Sequence, residues 1–221
     1  MQKNLPYHKQ LDLILEELCG KNPPEPKKSL LLHACCGPCS SYVIEYLSSI
    51  FDITIFFYNP NIHPETEYTR RLTELKKFLT EFPDALKNKV KLVVDNYDVE
   101  DYFSATNVRS EVELQTEPER GERCRRCYEF RMRRAYDYAC KNGFDYFTTT
   151  LSISPHKDSK MINEIGKLLE QGGERKEGSP KFLPSDFKKR GGFLRSTQLS
   201  EEYGLWRQDY CGCVYSQARR G

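Results

Sequence analysis

Seven of the nine cysteines of this 221-residue chain lie in three tight groups. The groups are a CCxxC group (Cys35, Cys36 and Cys39), a CxxC group (Cys124 and Cys127) and a CxC group (Cys211 and Cys213). Thiols at these spacings bind metals or carry out redox chemistry. A disulfide framework is the poorer interpretation, because the number of cysteines is odd and the polar N-terminus shows no export signal.

The number of clustered thiols favours two metal centres. A structural zinc ion takes four thiolates and would leave three unused, whereas an iron–sulfur cluster takes three or four and leaves ligands for a second metal. A single [4Fe–4S] cluster with an exchangeable site stays an alternative, and the sequence assigns no cysteine to a particular centre. The other two cysteines, Cys19 and Cys140, lie within helical patterns, where we expect them to serve in packing.

Residues 36–39 also spell CGPC, the active-site tetrapeptide of thioredoxin, between a predicted strand and a predicted helix. A dithiol oxidoreductase is therefore an alternative function, although it leaves the CxxC and CxC groups unexplained. His33 lies two residues before Cys35 and is a candidate catalytic residue, because an imidazole at this place can donate a proton or orient a ligand.

A basic segment, residues 174–195, stands out in a chain with 34 Lys and Arg against 32 Asp and Glu. Phe187 and Phe193 are interleaved with its cations, a composition that suits a phosphate backbone and unstacked bases. We predict that nucleic acid is bound by a set of four residues in this segment, namely Lys188, Lys189, Arg190 and Arg195. The segment also contains Arg175, Lys176 and Lys181.

Strands that alternate with helices must position these groups. Apolar runs predict strands at 29–34, 51–58, 89–95 and 144–150, with a further short one near 181–183. Helical patterns follow the first two runs and recur around 99–105, 123–142 and 196–203. One more helix is predicted after the fourth strand and is closed by Gly172-Gly173; its apolar face uses Met161, Ile162, Ile165, Leu168 and Leu169. This alternation predicts an α/β fold with a single doubly wound parallel sheet, whose ligands collect at the carboxyl ends of the strands.

The chain shows neither an internal repeat nor a linker-like change of composition. We therefore predict one domain over 29–221, with irregular metal-binding loops and a basic C-terminal segment, preceded by a helical extension over 1–28. The longest apolar runs fall far short of the roughly 18 residues that a membrane span needs. We expect a cytoplasmic protein with no membrane partner.

Six segments together point to a known family: HACCGPCS, NPNIHPETEYTRR, RCRRCYEFRMRRA, FTTTLSISPHK, PSDFKKRGGFLRSTQLS and YGLWRQDYCGC. From about residue 29 to 215 the chain resembles the cobalamin-independent epoxyqueuosine reductases, the QueH family. The order CCxxC, CxxC and YCGC is far more specific than any one of these motifs, and the cysteines show no departure from the family pattern.

The resemblance implies the last step of queuosine synthesis, in which the epoxide of epoxyqueuosine is reduced at the wobble position of a tRNA with a GUN anticodon. It also implies a fold similar to the adenine-nucleotide alpha-hydrolase-like (HUP) domains, with metal ligands in the loop that handles ATP phosphates in those relatives. The expected cofactors are a [4Fe–4S] cluster and an additional mononuclear iron, held by the seven clustered cysteines.

The electrons are expected from a ferredoxin or flavodoxin, because no Gly-rich dinucleotide fingerprint follows any predicted strand. Within the basic segment, the loop Phe187–Arg195 would hold the anticodon stem-loop, with the modified base splayed out toward the strand ends. A zinc-stabilised tRNA-binding module without reactivity is a further alternative.

Overall fold

Five parallel strands form one sheet in the computed structural model, which describes residues 5–20, 26–172 and 178–217. The strands are β1 (Lys28–His33), β2 (Phe51–Phe57), β3 (Lys91–Val94), β4 (Tyr146–Thr149) and β5 (Lys181–Phe182). Their order across the sheet is β3-β2-β1-β4-β5, and every neighbouring pair is parallel. The predicted doubly wound α/β class is confirmed, and the architecture is compatible with a HUP-like domain.

The helices connect these strands and cover both faces of the sheet. They are α1 (Tyr7–Cys19), α2 (Gly37–Leu47), α3 (Glu65–Glu81), α4 (Pro83–Lys87), α5 (Val99–Thr106), α6 (Glu113–Thr116), α7 (Glu122–Lys141), α8 (Ser159–Gly172), α9 (Gly192–Glu202) and α10 (Val214–Gln217). A 3₁₀ turn, Thr150–Ile153, follows β4 directly. The sequence patterns predicted the longer helices and α5, whereas α4, α6 and α10 are too short to show a clear periodicity.

The two faces of β1 contact different sets of helices, because successive side chains of a strand point to opposite faces. Leu30 and Leu32 lie in a core with residues of α1, α2, α3 and α9. Leu31 lies in a second core, together with residues of α7 and α8. The central strand is therefore apolar on both faces over Leu30–Leu32, as expected for a parallel sheet that is covered on both faces.

The chain reverses its direction of travel across the sheet between β1 and β4. From β1 it moves outward to β2 and β3, and it then returns to place β4 and β5 on the other side. The loops after β1 and β4 diverge at this switch point, which opens a crevice at the carboxyl edge of the sheet. Residues that follow these two strands are therefore brought to one place.

Two predictions about packing are wrong. Leu168 is 66% exposed, because the buried line of α8 runs through Ile162, Ile165 and Leu169 and leaves Leu168 outside it. Cys140 is exposed, because Ala139 occupies the inward position of α7 and the next residue lies about 100° further round the helix. Cys19, at the end of α1, is half-buried.

Some predictions fall outside the described residues. These are Arg175 and Lys176 of the basic segment, residues 1–4 and 21–25 of the predicted N-terminal extension, and residues 218–221 of the predicted domain. Within the part of the chain that the structure describes, no helix is both long enough and apolar enough to cross a membrane.

Candidate metal and substrate site

The CCxxC group lies where β1 ends and α2 begins. The Sγ atoms of Cys35, Cys36 and Cys39 all lie within 4.8 Å of one another. Cys36 is the N-cap residue of α2, and its sulfur accepts a hydrogen bond of 3.3 Å from the backbone N–H of Cys39. Pro38 fits the first turn of a helix because its missing N–H needs no partner there. The local sequence thus folds three sulfurs into one small volume.

The three thiols of the CCxxC group differ in pKa: one is lowered and two are raised. Hydrogen bonds from the Cys36 and Cys39 thiols hold the pKa of Cys35 well below its usual value. Burial, together with the hydrogen bond to Cys35, raises the pKa of Cys36 to about 12. One thiolate is therefore stabilised by two protonated neighbours. A bound cation would replace those protons, because thiolates are the metal-binding form of cysteine.

The other two cysteine groups face the CCxxC group across a cavity of about 230 Å³. The cavity is lined by cysteines of all three groups: Cys39, Cys124, Cys127, Cys211 and Cys213. The CxxC group lies in the first two turns of α7, and the CxC group lies in the segment between α9 and α10. The structure therefore brings together groups that are widely separated in the sequence.

The two thiols of the CxC group differ in pKa, as those of the CCxxC group do. Hydrogen bonding from Cys213 lowers the pKa of Cys211 to about 5. The same contact, together with burial, raises the pKa of Cys213. The Cys213 sulfur also lies 3.3 Å from the hydroxyl oxygen of Tyr102, which is fully buried. Burial raises the pKa of Cys124 to about 11, so this thiol is protonated unless a metal displaces its proton.

The CxC segment is held by a buried arginine of α3. The guanidinium of Arg71 donates hydrogen bonds to the carbonyl oxygens of Tyr210 (3.1 Å) and Cys211 (3.2 Å). It also forms an ion pair of 2.7 Å with Glu67, one helical turn earlier. The carbonyl oxygen of Gly212 accepts a hydrogen bond of 2.8 Å from the backbone N–H of His63. The segment is thus fastened to α3 and to the loop after β2.

Two further cations lie near the sulfurs. Lys157, in the loop after β4, is half-buried and lines the cavity, and Arg131 of α7 is buried and lines it too. Although burial lowers the pKa of Lys157, nearby cysteine sulfurs, first of all the Cys35 thiolate, raise it above its usual value. These cations offset negative charge that thiolates would otherwise place in a poorly solvated site.

His33 lies beneath the site and does not line the cavity. It is fully buried at the end of β1, and its ring nitrogens contact the hydroxyl of Thr149 (2.8 Å) and the carbonyl oxygen of Tyr58 (3.2 Å). Burial, followed by the charge of Arg131, lowers the pKa of His33 to about 3. The imidazole is therefore neutral near pH 7. Its two contacts connect the end of β1 to the ends of β2 and β4.

The cavity wall also carries buried polar atoms that have no partner among the described residues. They are the Oδ1 atom of Asn61, the Oε1 atom of Gln208 and an Nη2 atom of Arg123. The other amide atom of Gln208, Nε2, lies 3.1 Å from the Cys36 sulfur and donates a hydrogen bond to it. Because unpaired buried polar groups are costly, these atoms are suited to bind a polar ligand.

The basic segment is largely paired within the protein. Lys188 forms an ion pair of 2.6 Å with Asp186, and Arg195 forms one of 2.6 Å with Glu45. Arg190 is paired with Asp12. Lys189 is exposed and has no ion pair among the described residues. These partners reduce the positive charge that the segment offers to nucleic acid.

The two aromatic residues of the basic segment differ in exposure. Phe187 is 3% exposed and packs in the core, whereas Phe193 is 37% exposed and lines the cavity. Only Phe193 is thus available to stack on a base.

Sequence reasoning missed the polar residues that hold or face the cysteines. Arg71 lies on the buried face of α3 in line with Tyr68 and Leu75, where an arginine is a recognisable exception to an apolar pattern. Lys157 and Gln208 carry no such local signal. Only the tertiary structure shows that the loops containing these two residues line the same cavity.

Known proteins resemble this chain over most of its length. A family model described as "Epoxyqueuosine reductase QueH" matches residues 30–219. Three relatives carry that same name. One from Streptococcus pyogenes serotype M1 is 43% identical over 195 residues, which are 88% of this chain and 72% of the relative. One from Staphylococcus epidermidis is 36% identical, covering 97% of this chain and 86% of the relative. One from Thermotoga maritima is 36% identical, covering 87% and 92%.

Proposed function

This chain belongs to the epoxyqueuosine reductase QueH family, as its sequence segments predicted, and we propose on that premise that it reduces the epoxide of epoxyqueuosine at the tRNA wobble position. It is an oxidoreductase of tRNA modification, and tRNA is its substrate. The observation that carries the proposal is the meeting of all three cysteine groups around one cavity at the carboxyl edge of the sheet.

We propose that the seven clustered cysteines hold a [4Fe–4S] cluster and an additional iron. The donor set fits such groups, because soft thiolates are the ligands of iron–sulfur clusters. The CCxxC sulfurs lie within 4.8 Å of one another. The thiolates of one tetrahedral ion lie about 3.8 Å apart, so this group needs little movement to ligate a metal. The four cysteines across the cavity supply ligands for an adjacent centre.

When bound, the cluster would supply electrons singly, and an iron with an open coordination position would polarise the C–O bond of the epoxide. The protein's own residues prepare the site. Lys157 and Arg131 place positive charge beside the thiolates, and Asn61 and Gln208 offer polar atoms to the substrate. The catalytic role predicted for His33 stays a prediction. Its buried position and its two hydrogen bonds favour orientation of the Cys35 loop over proton transfer.

We propose that the basic segment contributes phosphate contacts to the stem-loop of a tRNA with a GUN anticodon. Lys189 is the most available of the four predicted residues, since Lys188, Arg190 and Arg195 would exchange an acidic partner for phosphate. A ferredoxin or flavodoxin remains the proposed electron donor, and a cytoplasmic location follows from the tRNA substrate.

The dithiol oxidoreductase alternative is poorly supported. In such enzymes the attacking thiol is accessible and has a lowered pKa. Here Cys36, the first cysteine of CGPC, is 1% exposed and its pKa is raised to about 12. The same residue also accepts a hydrogen bond from Gln208, which comes from the CxC side of the cavity.

The central experiment incubates the anaerobically reconstituted protein with dithionite and tRNA that bears epoxyqueuosine, without cobalamin. Mass analysis of the nucleosides should show queuosine. Persistence of the epoxide with a chemically reduced cluster and bound tRNA would exclude the reductase function. A colourless preparation after reconstitution with iron and sulfide would instead favour the zinc-stabilised binding module.

The ligand assignment is tested by Cys36→Ala, Cys124→Ala and Cys211→Ala, one from each group. Each variant should lose iron and visible absorbance, whereas Cys140→Ala, at an exposed cysteine outside the groups, should keep both. Full iron content in all three variants would contradict the shared site.

A further inference from the structure

The mouth of the cavity carries an exposed aromatic and cationic rim that the reaction chemistry does not use. Trp206, the single tryptophan of the chain, is 40% exposed. The guanidinium carbon of Arg70 lies 3.7 Å from the centre of its ring. The guanidinium carbon of Arg207 lies 5.4 Å from the ring centre of Phe193, which lines the cavity. We call these four residues the stacking rim.

The stacking rim is continuous with the metal site. Arg207 lines both the cavity and a neighbouring surface hollow whose wall includes Arg70 and Trp206. Leu205, one residue earlier, is buried, and its Cδ1 atom lies 3.6 Å from the place that a Cβ on Gly37 would occupy. One residue after Arg207, Gln208 donates its hydrogen bond to Cys36. A ligand that reaches the sulfurs from this side must pass the rim.

Hydrogen bonds hold the rim in place. The backbone N–H of Trp206 donates to Glu74 (3.2 Å), and Arg207 donates to the carbonyl oxygen of Ser196 (3.3 Å) and the hydroxyl of Ser200 (3.2 Å). Arg70 has no ion pair among the described residues, and its guanidinium lies instead on the indole. Burial in the core does not explain an exposed tryptophan under an unpaired cation.

We propose that the stacking rim binds the unpaired nucleotides next to the modified nucleoside, with a base stacked against Trp206 and phosphate held by Arg70 and Arg207. This inference rests on the proposed tRNA substrate. Single-stranded bases stack on aromatic rings and on guanidinium planes, while arginines contact the phosphates between them. The target base must leave its stack to enter a cavity, so its neighbours need a new stacking surface.

The exposed indole of the hollow, more than its charge, favours RNA over an acidic protein such as the electron donor. Glu74 and Glu201 lie in its wall beside the two arginines. Carboxylates repel RNA phosphates and an acidic protein surface alike, but they can accept hydrogen bonds from the exocyclic amines of bases, and the indole offers those bases a face to stack on. The wall therefore matches a nucleotide in three ways: the indole can contact the face of a base, the guanidinium groups its phosphates, and the carboxylates its hydrogen-bonding edge.

The test uses the metallated protein and a labelled anticodon stem-loop with and without epoxyqueuosine. Trp206→Ala should weaken binding by roughly 5- to 150-fold, the range expected for loss of one stacked base. Trp206→Phe should restore most of the affinity, because it retains an aromatic face. Arg70→Met should weaken binding and flatten its salt dependence. Leu168→Ala, which removes an exposed apolar side chain on α8, is the matched control and should bind like the wild type.

The fluorescence of the wild-type protein gives an independent readout, because Trp206 is its only indole. Saturating stem-loop should quench that fluorescence. Unchanged fluorescence, or full affinity in Trp206→Ala with intact iron content, would overturn the proposal. Slower reduction by flavodoxin or ferredoxin with unchanged RNA affinity would also overturn it and assign the rim to the electron donor. If RNA quenches the fluorescence of Trp206 but the wild-type protein leaves the epoxide intact, the reductase function is refuted, whereas RNA binding at the stacking rim is supported.

Discussion

Replacement of Gly212 by alanine should release the CxC segment from the site and lower its metal content. Gly212 has a φ of 102°, and a Cβ built on it would lie 2.7 Å from the Cγ1 atom of Ile62. The backbone strain costs about 1–3 kcal/mol, and overpacking against a buried neighbour adds about 1–3 kcal/mol. A total of about 2–6 kcal/mol is a large part of a typical unfolding free energy. The chain can relieve this cost by moving Gly212 outward, which carries Cys211 and Cys213 away from the cavity.

The control is Gly143→Ala, at the end of α7. Gly143 has a φ of 68°, and nothing lies within 4 Å of the place where its Cβ would be. This variant should lose only about 1–2 kcal/mol from its left-handed backbone and keep its iron. Chemical denaturation measures both losses, and the ratio of iron to protein with visible absorbance reports the site. The reasoning is refuted if Gly212→Ala is no less stable than Gly143→Ala and binds as much iron as the wild type.

Three further substitutions test the surroundings of the site. Arg71→Met should destabilise the protein by about 2–4 kcal/mol in denaturant titrations, because it leaves half-buried Glu67 without its partner and the carbonyl oxygens of Tyr210 and Cys211 without their donor. Arg71→Lys should recover only part of this, and equal stability of Arg71→Met and wild type would contradict the role. Lys157→Met should make the reduction potential of the bound metal more negative in a redox titration, because the nearby cation of Lys157 stabilises the reduced state, which carries one more electron. An unchanged potential would show that Lys157 does not affect the electrostatics of the site. Asp145→Asn should lower stability by about 1–2 kcal/mol near neutral pH without affecting iron content, because Ser29 and Lys28 donate to this carboxylate. Although burial raises the pKa of Asp145, these hydrogen bonds lower it overall. The difference in stability from the wild type should therefore begin to shrink below about pH 4, the ordinary pKa of Asp, and vanish once the pH falls below the lowered pKa of the folded state. A difference that stays constant with falling pH would refute the electrostatic cause.

The sequence alone determined the class of the fold, the family and the cysteines that make up the candidate site. The apolar runs and helical patterns that predicted the sheet are local features with periods of 2 and 3.6 residues, so neighbouring residues suffice to detect them. The three cysteine groups are equally local, since each spans five residues or fewer. The rule that parallel strands present their loops at one edge then predicted that loops after different strands would meet.

Only the tertiary structure decided which partners the charged residues take. Arg195 pairs with Glu45, which lies 150 positions away in the chain, and Arg190 pairs with Asp12. No local pattern shows such pairs, so the composition of the basic segment overstated the charge available to RNA. The supporting role of Lys157 was hidden in the same way, because its neighbours come from other strands and loops.

The exposure of aromatic residues was also decided by packing. Phe187 and Phe193 look equivalent in the basic segment, yet one lies in the core and the other at the cavity. Trp206 and Arg70 come from distant parts of the chain and meet only because α3 packs beside the segment after α9. Residue type and spacing can identify thiols that are candidates for metal binding. Contacts across the fold determine which cations are free and which rings face solvent, because those contacts join residues far apart in sequence.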